Sequence, residues 1–520
     1  MTDRLGVELI DRLVAVLPDL VADARRLPHL VHADVRLEVT EAKSASAENG
    51  ASRAAREDAR LGLGVRVLAG DRMVAPGYVG LTAGAADVDR LTGIVKEALA
   101  QAHRRAVVNG QLKAEAREKF GALGRALADT RLCPADVRRD TVPAVFEIDP
   151  HTVPLDEMVR FTREVARQVS ALDPRLTYSY LSTLTQLSRE LFVSTEGAVI
   201  DQSFALTQGF AFVVAASGGM SQELADVLGH QRGWEVLLRG VDDPLLAYPP
   251  FAEFALALAR ESLALVEAPR LPTSDGEVVI VTDPHYNTLL SHEIIGHPVE
   301  LDRALKMETA YAGRSWLLRG LRDHQVGARV ASPLVSAYSD PSLPGYGHYA
   351  YDHEGTPGRR VPHIEDGIFT GFMNSRQTAA LFGGEPNGHW KAVDAALVPL
   401  VRMSTTVFAG GDRSARDIVR EVDHGYYVAG HRIPSIAESR ENFRISARRV
   451  YEIKNGEVGQ LFRDGGVAAD TRDYLLNVDA VGSDFRLYPI ANCGKGQPMQ
   501  SRKLGNGGPT MRSRARVTGG

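Results

Sequence analysis

The sequence predicts an α+β fold in two domains, a mixed α/β N-terminal domain with an antiparallel sheet and a β-rich C-terminal domain. Its 520 residues exceed what one ordinary hydrophobic core holds. Alternating apolar and polar residues in the first half predict paired strands. After about residue 271 the chain becomes richer in Gly and Pro, with short strands and few long helices. We place the boundary in the run "LPTSDGEV", which gives domains at 1–270 and 271–520.

The elements of the first domain follow from its patterns. The run "HADVRLEVTEAK" alternates as a half-buried strand does, and "ARLGLGVRVLAGDRMVAPGYVGL" predicts two strands around a turn at 69–71. A helical insert is expected over about 87–174, its last helix, "LDEMVRFTREVARQVSALDP", ending at Pro174. A hairpin over 195–197, a third strand and the helix "FAEFALALARESLALVEAP" complete the domain.

Composition excludes several classes of function. The formal net charge is −5, and no concentrated basic surface indicates a nucleic-acid partner. No apolar run approaches the ~18 to 20 residues that cross a bilayer, so we expect no membrane partner. The N-terminus predicts an amphipathic helix and lacks the pattern of a signal peptide. Two cysteines are too few for a disulfide framework, and we expect a cytoplasmic protein.

The run "SHEIIGHPVELD", residues 291–302, contains the strongest chemical signal. The zinc-protease pattern H-E-x-x-H places two imidazoles four residues apart on one helix face. Here His292 and His297 are five apart, which on an ideal α-helix would turn the second ring about 140° away from the first. A one-turn π-bulge brings positions i and i+5 back into line, and Gly296 tolerates a distorted backbone. A metal site at this spacing therefore predicts a π-turn, whereas in a regular helix the two histidines would merely lie near each other.

The setting of this run suits a metal site. It follows the predicted strand "EVVIVTD", and Pro284 is acceptable in the first turn of a helix. Two imidazoles need a third protein ligand, for which Cys493, nearby acidic residues and other histidines are candidates. Cys493 lies in "NCGKG", a setting typical of a distant ligand or a nucleophile, whereas Cys133 is expected to pack as an apolar residue.

Four motifs together carry a resemblance to a known family. The runs "HEIIGHPVELD", "YDHEGTPG", "RRVYEIKNGEV" and "CGKGQ…GGPTMR" resemble, in this order, the TldD branch of the TldD/PmbA family of zinc metallopeptidases. The likeness covers most of the second half and extends more weakly to "LGLGVRVLAGDRMVAPGYVG". Pro298, Leu301 and the stretch 101–190 depart from the family pattern, which bears on substrate preference more than on chemistry.

The resemblance implies a zinc cofactor and a set of roles. His292, His297 and Cys493 match the metal ligands, and Glu293 matches the catalytic glutamate that takes a proton from water. Glu300 and Asp302 match acidic positions just beyond the motif. Either carboxylate is expected to accept a hydrogen bond from an imidazole N–H. The C-terminal domain would thus be a peptidase domain with one metal-binding helix.

The resemblance also implies an unstructured peptide as substrate. The predicted hairpin over 365–367 would present an edge to which an extended peptide adds, if it flanks the metal. Exposed strand edges suit a dimer, either of two identical chains or with a related PmbA/TldE-like chain. The alternative function is a binding or modulatory subunit without turnover. Glu293 favours catalysis, because a structural zinc site needs no adjacent glutamate.

Overall fold

The N-terminal half is built on one large antiparallel sheet with helices packed against it. The structure, a computed structural model, describes residues 5–119, 121–310 and 313–519. The strands of this half are β1 Leu30–Glu48, β2 Ala51–Ala69, β3 Ala75–Ala83, β4 Arg139–Val142, β5 Leu176–Ser194, β6 Val199–Ser217, β7 Met220–His230, β8 Val241–Asp242 and β9 Ala247–Tyr248. The helices are α1 Leu9–Val14, α2 Leu17–Asp23, α3 Leu91–Ala116, α4 Ala122–Ala128, α5 Leu155–Ser170, α6 Glu235–Arg239 and α7 Phe251–Glu267.

The strands of this sheet follow the order β3-β2-β1-β5-β6, with β4 and β7 both pairing with β6. The predicted β2–β3 and β5–β6 hairpins are confirmed. The helix predicted to run up to Pro174 ends earlier, at Ser170. The stretch 87–174 contains α3, α4 and α5 but also strand β4, so it is not wholly helical. Apolar residues of α1, α2 and α3 pack on β1 to β3, and those of α5 and α7 join a second cluster with β5, β6 and β7.

The C-terminal half contains many short strands and one buried motif helix, as its composition predicts. The strands are β10 Val278–Thr282, β11 Leu318–Gly320, β12 Asp323–His324, β13 Ala337–Ser339, β14 Val361–Glu365, β15 Ile368–Phe369, β16 Trp390–Lys391, β17 Leu400–Val401, β18 Thr405–Phe408, β19 His424–Ile436, β20 Asn442–Lys454, β21 Glu457–Phe462, β22 Gly465–Asp470, β23 Ala480–Val481, β24 Arg486–Lys495, β25 Gln500–Gly508 and β26 Met511–Gly519. The helices are α8 Pro284–Leu290, α9 Leu301–Ala304, α10 Arg376–Phe382, α11 Ala415–Arg420 and α12 Thr471–Leu476.

Five of these strands close into a ring. Strand β10 pairs with β19 and with β26, and the pairings β19–β20, β20–β22 and β22–β26 complete the circle. A closed sheet has no free edge within the ring. The expectation of exposed strand edges therefore applies only outside these five strands.

The other large sheet of this half has six strands in the order β15-β14-β13-β18-β25-β24. The predicted hairpin is confirmed as β14–β15, and its turn residues Asp366 and Gly367 have φ values of 47° and 81°, as a tight hairpin turn requires. It lies at one edge of the sheet, whereas β24, which contains Cys493, forms the other edge. The hairpin therefore does not flank the candidate ligands in the strand order.

Charged residues join the two halves near the start of α8. Arg448 of β20 pairs with Asp226 of β7 and, at 2.8 Å, with Glu261 of α7. The ring of His285 stacks on that of His431 with centroids 4.8 Å apart, and its Nε2 lies 3.6 Å from Asp226. Two turns before the first motif histidine, α8 thus contacts the N-terminal half. None of the helices in the described ranges is long and apolar enough to cross a bilayer.

Candidate metal centre

The motif helix begins at a well-defined cap. Strand β10 ends at Thr282, and the Asp283 carboxylate accepts a hydrogen bond from the Tyr286 amide at 2.6 Å. Pro284 occupies the first turn, as predicted, where its missing N–H costs nothing. The Tyr286 hydroxyl donates to the Ile445 carbonyl on β20 at 2.9 Å. These contacts anchor α8 to the ring of strands.

A π-turn over Ser291–Gly296 brings the two histidines together, as the spacing predicts. The His297 amide donates to the His292 carbonyl at 3.1 Å, a bond five residues back along the chain. The ring centroids lie 4.7 Å apart. Gly296 does not adopt a left-handed φ, so backbone freedom is not what its position requires. A Cβ there would lie 2.0 Å from Met403 Sδ, which makes space the reason for glycine.

Cys493, on strand β24, lies next to the two histidines. Its Sγ lies 3.8 Å from His297 Nε2, and one ligand atom from each of the three residues lies within 4.8 Å of the others. All three side chains are buried, with exposures of 2 to 4%. Imidazole nitrogen and thiolate sulfur are the donors that zinc prefers. The residues therefore fit a zinc ion in both donor chemistry and spacing.

The electrostatics of this cluster favour the ionised form of Cys493. Burial raises the pKa of Cys493, but the two imidazoles and Arg402 outweigh it and hold the pKa well below its usual value. Burial lowers the pKa of His292, but the Cys493 thiolate outweighs it and raises that pKa to about 9. The thiolate, which is the metal-binding form of cysteine, is thus the favoured state here.

Asn506 orients the imidazole of His292. Its Oδ1 lies 3.1 Å from His292 Nδ1, and its Nδ2 donates to the Thr406 carbonyl at 2.8 Å. The second bond fixes the amide so that its oxygen faces the ring. Nδ1 of His292 therefore carries a proton and donates it, so Nε2 is the nitrogen that binds a metal once it has released its own proton.

Glu300 and Arg303 both contact the imidazole of His297. Glu300 Oε2 and Arg303 Nη2 lie 3.2 and 2.9 Å from His297 Nδ1, and Arg303 Nε and Lys495 Nζ lie 3.2 and 3.4 Å from Glu300 Oε2. Burial raises the pKa of Glu300, but Lys495 and Arg303 outweigh it and hold the pKa well below its usual value. Because Glu300 and Arg303 occupy Nδ1 of His297, Nε2 is the nitrogen that faces Cys493 and the candidate metal position.

Asp302 has a different set of partners. Its Oδ1 accepts from Lys495 at 2.6 Å and its Oδ2 accepts from the Val401 amide at 3.1 Å. Neither ring nitrogen of His292 or His297 is among its recorded partners. Because Lys495 lies two residues after Cys493 on β24, the bond to Asp302 holds the strand of the thiol against the motif.

Glu293 lies in the same π-turn as His292. Its Oε2 is 3.3 Å from Arg440 Nη1. Burial raises the pKa of Glu293, but the imidazoles and Arg440 outweigh it and lower that pKa. The carboxylate is therefore ionised and able to accept a proton.

Sequence reasoning missed three residues of this centre. Arg303 directly follows the quoted motif run, and Asn506 lies in the Gly-rich tail, where no local pattern distinguishes it. Arg440 lies in the connection between β19 and β20, and its sequence indicates only a turn. Only the pairing of distant strands brings Asn506 and Arg440 to the motif.

The chain is similar to known metalloproteases. Residues 275–519 match the model of the PmbA/TldA metallopeptidase C-terminal domain. A metalloprotease from Methanothermobacter thermautotrophicus is 31% identical over 64% of this chain and 68% of its own. A zinc metalloprotease TldD homolog from Saccharolobus solfataricus is 24% identical over 74% of this chain and 80% of its own.

The fold has a solved counterpart. The crystal structure of TldE from Thermococcus kodakarensis superposes with a TM-score of 0.70 at 17% identity, over 97% of this chain and 100% of that one. At this identity the likeness shows the fold alone. With the sequence matches, it follows that the chain belongs to the PmbA/TldD metallopeptidase family.

Proposed function

We propose that this protein is a zinc peptidase that hydrolyses peptide bonds in unfolded or unstructured chains. One observation carries the proposal. The side chains of His292, His297 and Cys493 are buried side by side, and Glu293 lies in the same π-turn as His292. Within the described residues the cluster offers three His or Cys ligands, and catalytic zinc sites keep a fourth position open. A structural site would generally be closed by a fourth protein ligand.

Each residue has a defined role. His292 Nε2, His297 Nε2 and Cys493 Sγ would hold the zinc ion, which lowers the pKa of water in the open position and polarises the scissile carbonyl. The Glu293 carboxylate takes the proton of the attacking water and delivers it to the leaving amine. Asn506 fixes the tautomer of His292, and Glu300 and Arg303 orient the ring of His297.

The sheet edge that we propose for substrate binding differs from the one that the sequence suggests. Strand β24, and not the β14–β15 hairpin, is the sheet edge that contains a proposed ligand. An extended peptide that pairs with this edge would be held mainly through main-chain hydrogen bonds, so its backbone would matter more than its sequence. This mode suits unfolded segments rather than folded proteins.

A dimer partner is part of the proposal. The likeness to the TldE fold supports pairing either with an identical chain or with a TldE-like chain. The cytoplasmic location, expected from the two cysteines, stays a prediction.

The test is cleavage of an unstructured casein-like peptide by the zinc-loaded protein. We expect wild type to cleave it and Glu293→Gln to retain less than about a hundredth of the rate, since a positioned acid–base group contributes about 10²–10⁴-fold. Glu277→Gln, at an exposed glutamate of the same half, is the matched control and should cleave at the wild-type rate. Unchanged cleavage by Glu293→Gln would overturn the proposal.

A further inference from the structure

Arg440 reaches the candidate metal centre from an element that contains none of the proposed ligands. It lies in the connection between β19 and β20, which end and begin at Ile436 and Asn442. Its side chain is only 9% exposed, and its Nη1 lies 3.3 Å from Glu293 Oε2. A buried guanidinium is thus in contact with the carboxylate proposed to move the proton.

The backbone at Arg440 is held in an uncommon conformation. Its φ is 67°, in the left-handed region that residues other than glycine rarely adopt. Its amide donates to the Ala437 carbonyl at 2.9 Å, and its carbonyl accepts from Thr471 Oγ1 at 2.7 Å. Left-handed residues fixed in this way cluster at functional sites. Here the fixed turn aims the side chain at Glu293.

Neighbouring contacts brace the same turn. The Arg314 amide donates to the Glu438 carbonyl at 2.7 Å, and the Trp316 amide donates to the Ser439 carbonyl at 3.1 Å. The segment that follows the motif and the β19–β20 turn therefore form one unit. A small, braced turn places a charge with the accuracy that catalysis requires.

The charge at this position matters for the reaction. An arginine side chain stays protonated in proteins, and its planar guanidinium can contact anionic oxygens on more than one side. Two other buried arginines lie nearby and are held by other partners, Arg303 by Glu300 through Nε at 3.2 Å and Arg402 by the Cys493 carbonyl at 2.6 Å. Arg440, by contrast, contacts the group that changes charge during the reaction.

We propose that Arg440 is a catalytic residue that binds the carbonyl oxygen of the scissile peptide as that oxygen becomes an anion. This inference rests on the proposed peptidase function. It assigns a role to a residue outside the ligand set and its hydrogen-bond partners.

The hydrolysis step conserves atoms and charge. A water oxygen forms a bond to the carbonyl carbon, the C=O electron pair moves onto the carbonyl oxygen, and the water proton passes to Glu293. Neutralising Glu293 weakens its attraction for Arg440 while negative charge develops on the carbonyl oxygen. When the C–N bond breaks, its electron pair leaves on nitrogen, which takes the proton from Glu293. The contact with the oxyanion is made only in the transition state, which is the condition for faster turnover.

The test compares two ligands in zinc-loaded protein by titration calorimetry. A phosphinic pseudo-peptide has an anionic tetrahedral phosphorus, and the matched ketomethylene pseudo-peptide does not. The variants are Arg440→Asn, whose side chain tolerates a left-handed φ, and the conservative Arg440→Lys. Arg444→Ala, at an exposed arginine on β20, is the control. Zinc content and circular dichroism identify variants that have kept the site and the fold.

We expect Arg440→Asn to raise the Kd of the phosphinic ligand about 100-fold or more and that of the ketomethylene ligand less than about threefold. Arg440→Lys should lose less, and Arg444→Ala should change neither Kd. An equal loss for both ligands, or no loss for the phosphinic ligand, would overturn the inference. So would a wild-type protein that does not bind the phosphinic ligand.

Kinetics separate this inference from the proposed function. With the casein-like peptide, Arg440→Asn should lower kcat about 10²–10³-fold and leave KM within about threefold, with partial rescue by added guanidinium. Arg440-dependent binding of the phosphinic ligand together with cleavage that survives Glu293→Gln would support the anion site and refute the proposed mechanism. A full kcat in Arg440→Asn, together with lost cleavage in Glu293→Gln, would refute the role of Arg440 and support the proposed peptidase mechanism.

Discussion

The imidazoles of His292 and His297 lie edge to face, with an interplanar angle of 83° and centroids 4.7 Å apart, because the chain between them makes a π-turn and not an α-turn. The turn is stabilised by the bond from the His297 amide to the His292 carbonyl. A regular helix would separate the two rings around its axis. The candidate metal site therefore depends on the extra residue that the π-turn contains.

Gly296→Ala tests that dependence. The added Cβ would lie 2.0 Å from Met403 Sδ, so either the turn or the buried methionine must move. We expect the free energy of unfolding to fall by about 1–3 kcal/mol and zinc occupancy to fall with it. Urea unfolding and elemental analysis measure the two effects.

The control for this substitution is Gly276→Ala, where nothing lies within 4 Å of the added atom. Combining Gly296→Ala with Met403→Ala should cost less than the sum of the single changes, because the second change opens the contested space. Strict additivity would contradict the packing explanation.

Asn506→Ala removes the acceptor of the His292 Nδ1–H bond. We expect the zinc Kd to rise about 10–100-fold, since the ring loses its fixed tautomer and orientation. Competition with a chromogenic chelator measures the Kd. Asn492→Ala, at an exposed asparagine of β24, should leave the Kd within about twofold, and an equal result for Asn506→Ala would refute its role.

The sequence allows the local geometry of the motif to be predicted, because an i, i+5 histidine pair has one simple helical solution. The first-turn proline and the two N-terminal hairpins are local as well, and the structure confirms them. Asn506 could not be predicted, because it reaches His292 from 214 residues away through the pairing of β18 with β25.

The order of strands is equally hidden from local patterns. The hairpin β14–β15 is correctly predicted, yet the sheet places it at the edge opposite β24. The closing of β10 onto β26 depends on residues more than 200 positions apart. Alternation predicts which residues face a core, but it does not predict which strand lies beside which.

Arg448→Ala removes the shared partner of Asp226 and Glu261, which joins the two halves of the chain. We expect the free energy of unfolding to fall by about 2–3 kcal/mol, since two half-buried carboxylates lose their shared partner and keep only the weaker contacts with His285 and Arg449. Chemical denaturation measures it. Arg359→Ala breaks an exposed pair with Glu385 and should cost less than about 1 kcal/mol. Similar losses in both variants would contradict the account.

Part of the loss of folding stability at acid pH depends on Asp34. Burial raises its pKa, but Arg66 and His32 outweigh burial and lower that pKa to about 2. Arg66 also pairs with Glu354 of "YDHEGTPG". A lowered folded-state pKa stabilises the protein above about pH 4, and that contribution of about 2.5 kcal/mol is lost as the pH falls towards 2. The stability difference between wild type and Asp34→Asn, from urea unfolding, should shrink between pH 5 and pH 2.5. A constant difference would refute the assignment.

The most direct test of the central claim is the zinc content of wild type, Glu293→Gln, Cys493→Ala and Cys133→Ala, purified without chelator. The account predicts about one zinc ion per chain in wild type, in Glu293→Gln and in Cys133→Ala, and loss of zinc from Cys493→Ala. It also predicts that cobalt-substituted wild type shows a thiolate charge-transfer band that Cys493→Ala lacks. A wild type without zinc, or a Cys493→Ala variant that keeps it with unchanged affinity, would contradict the three-ligand site.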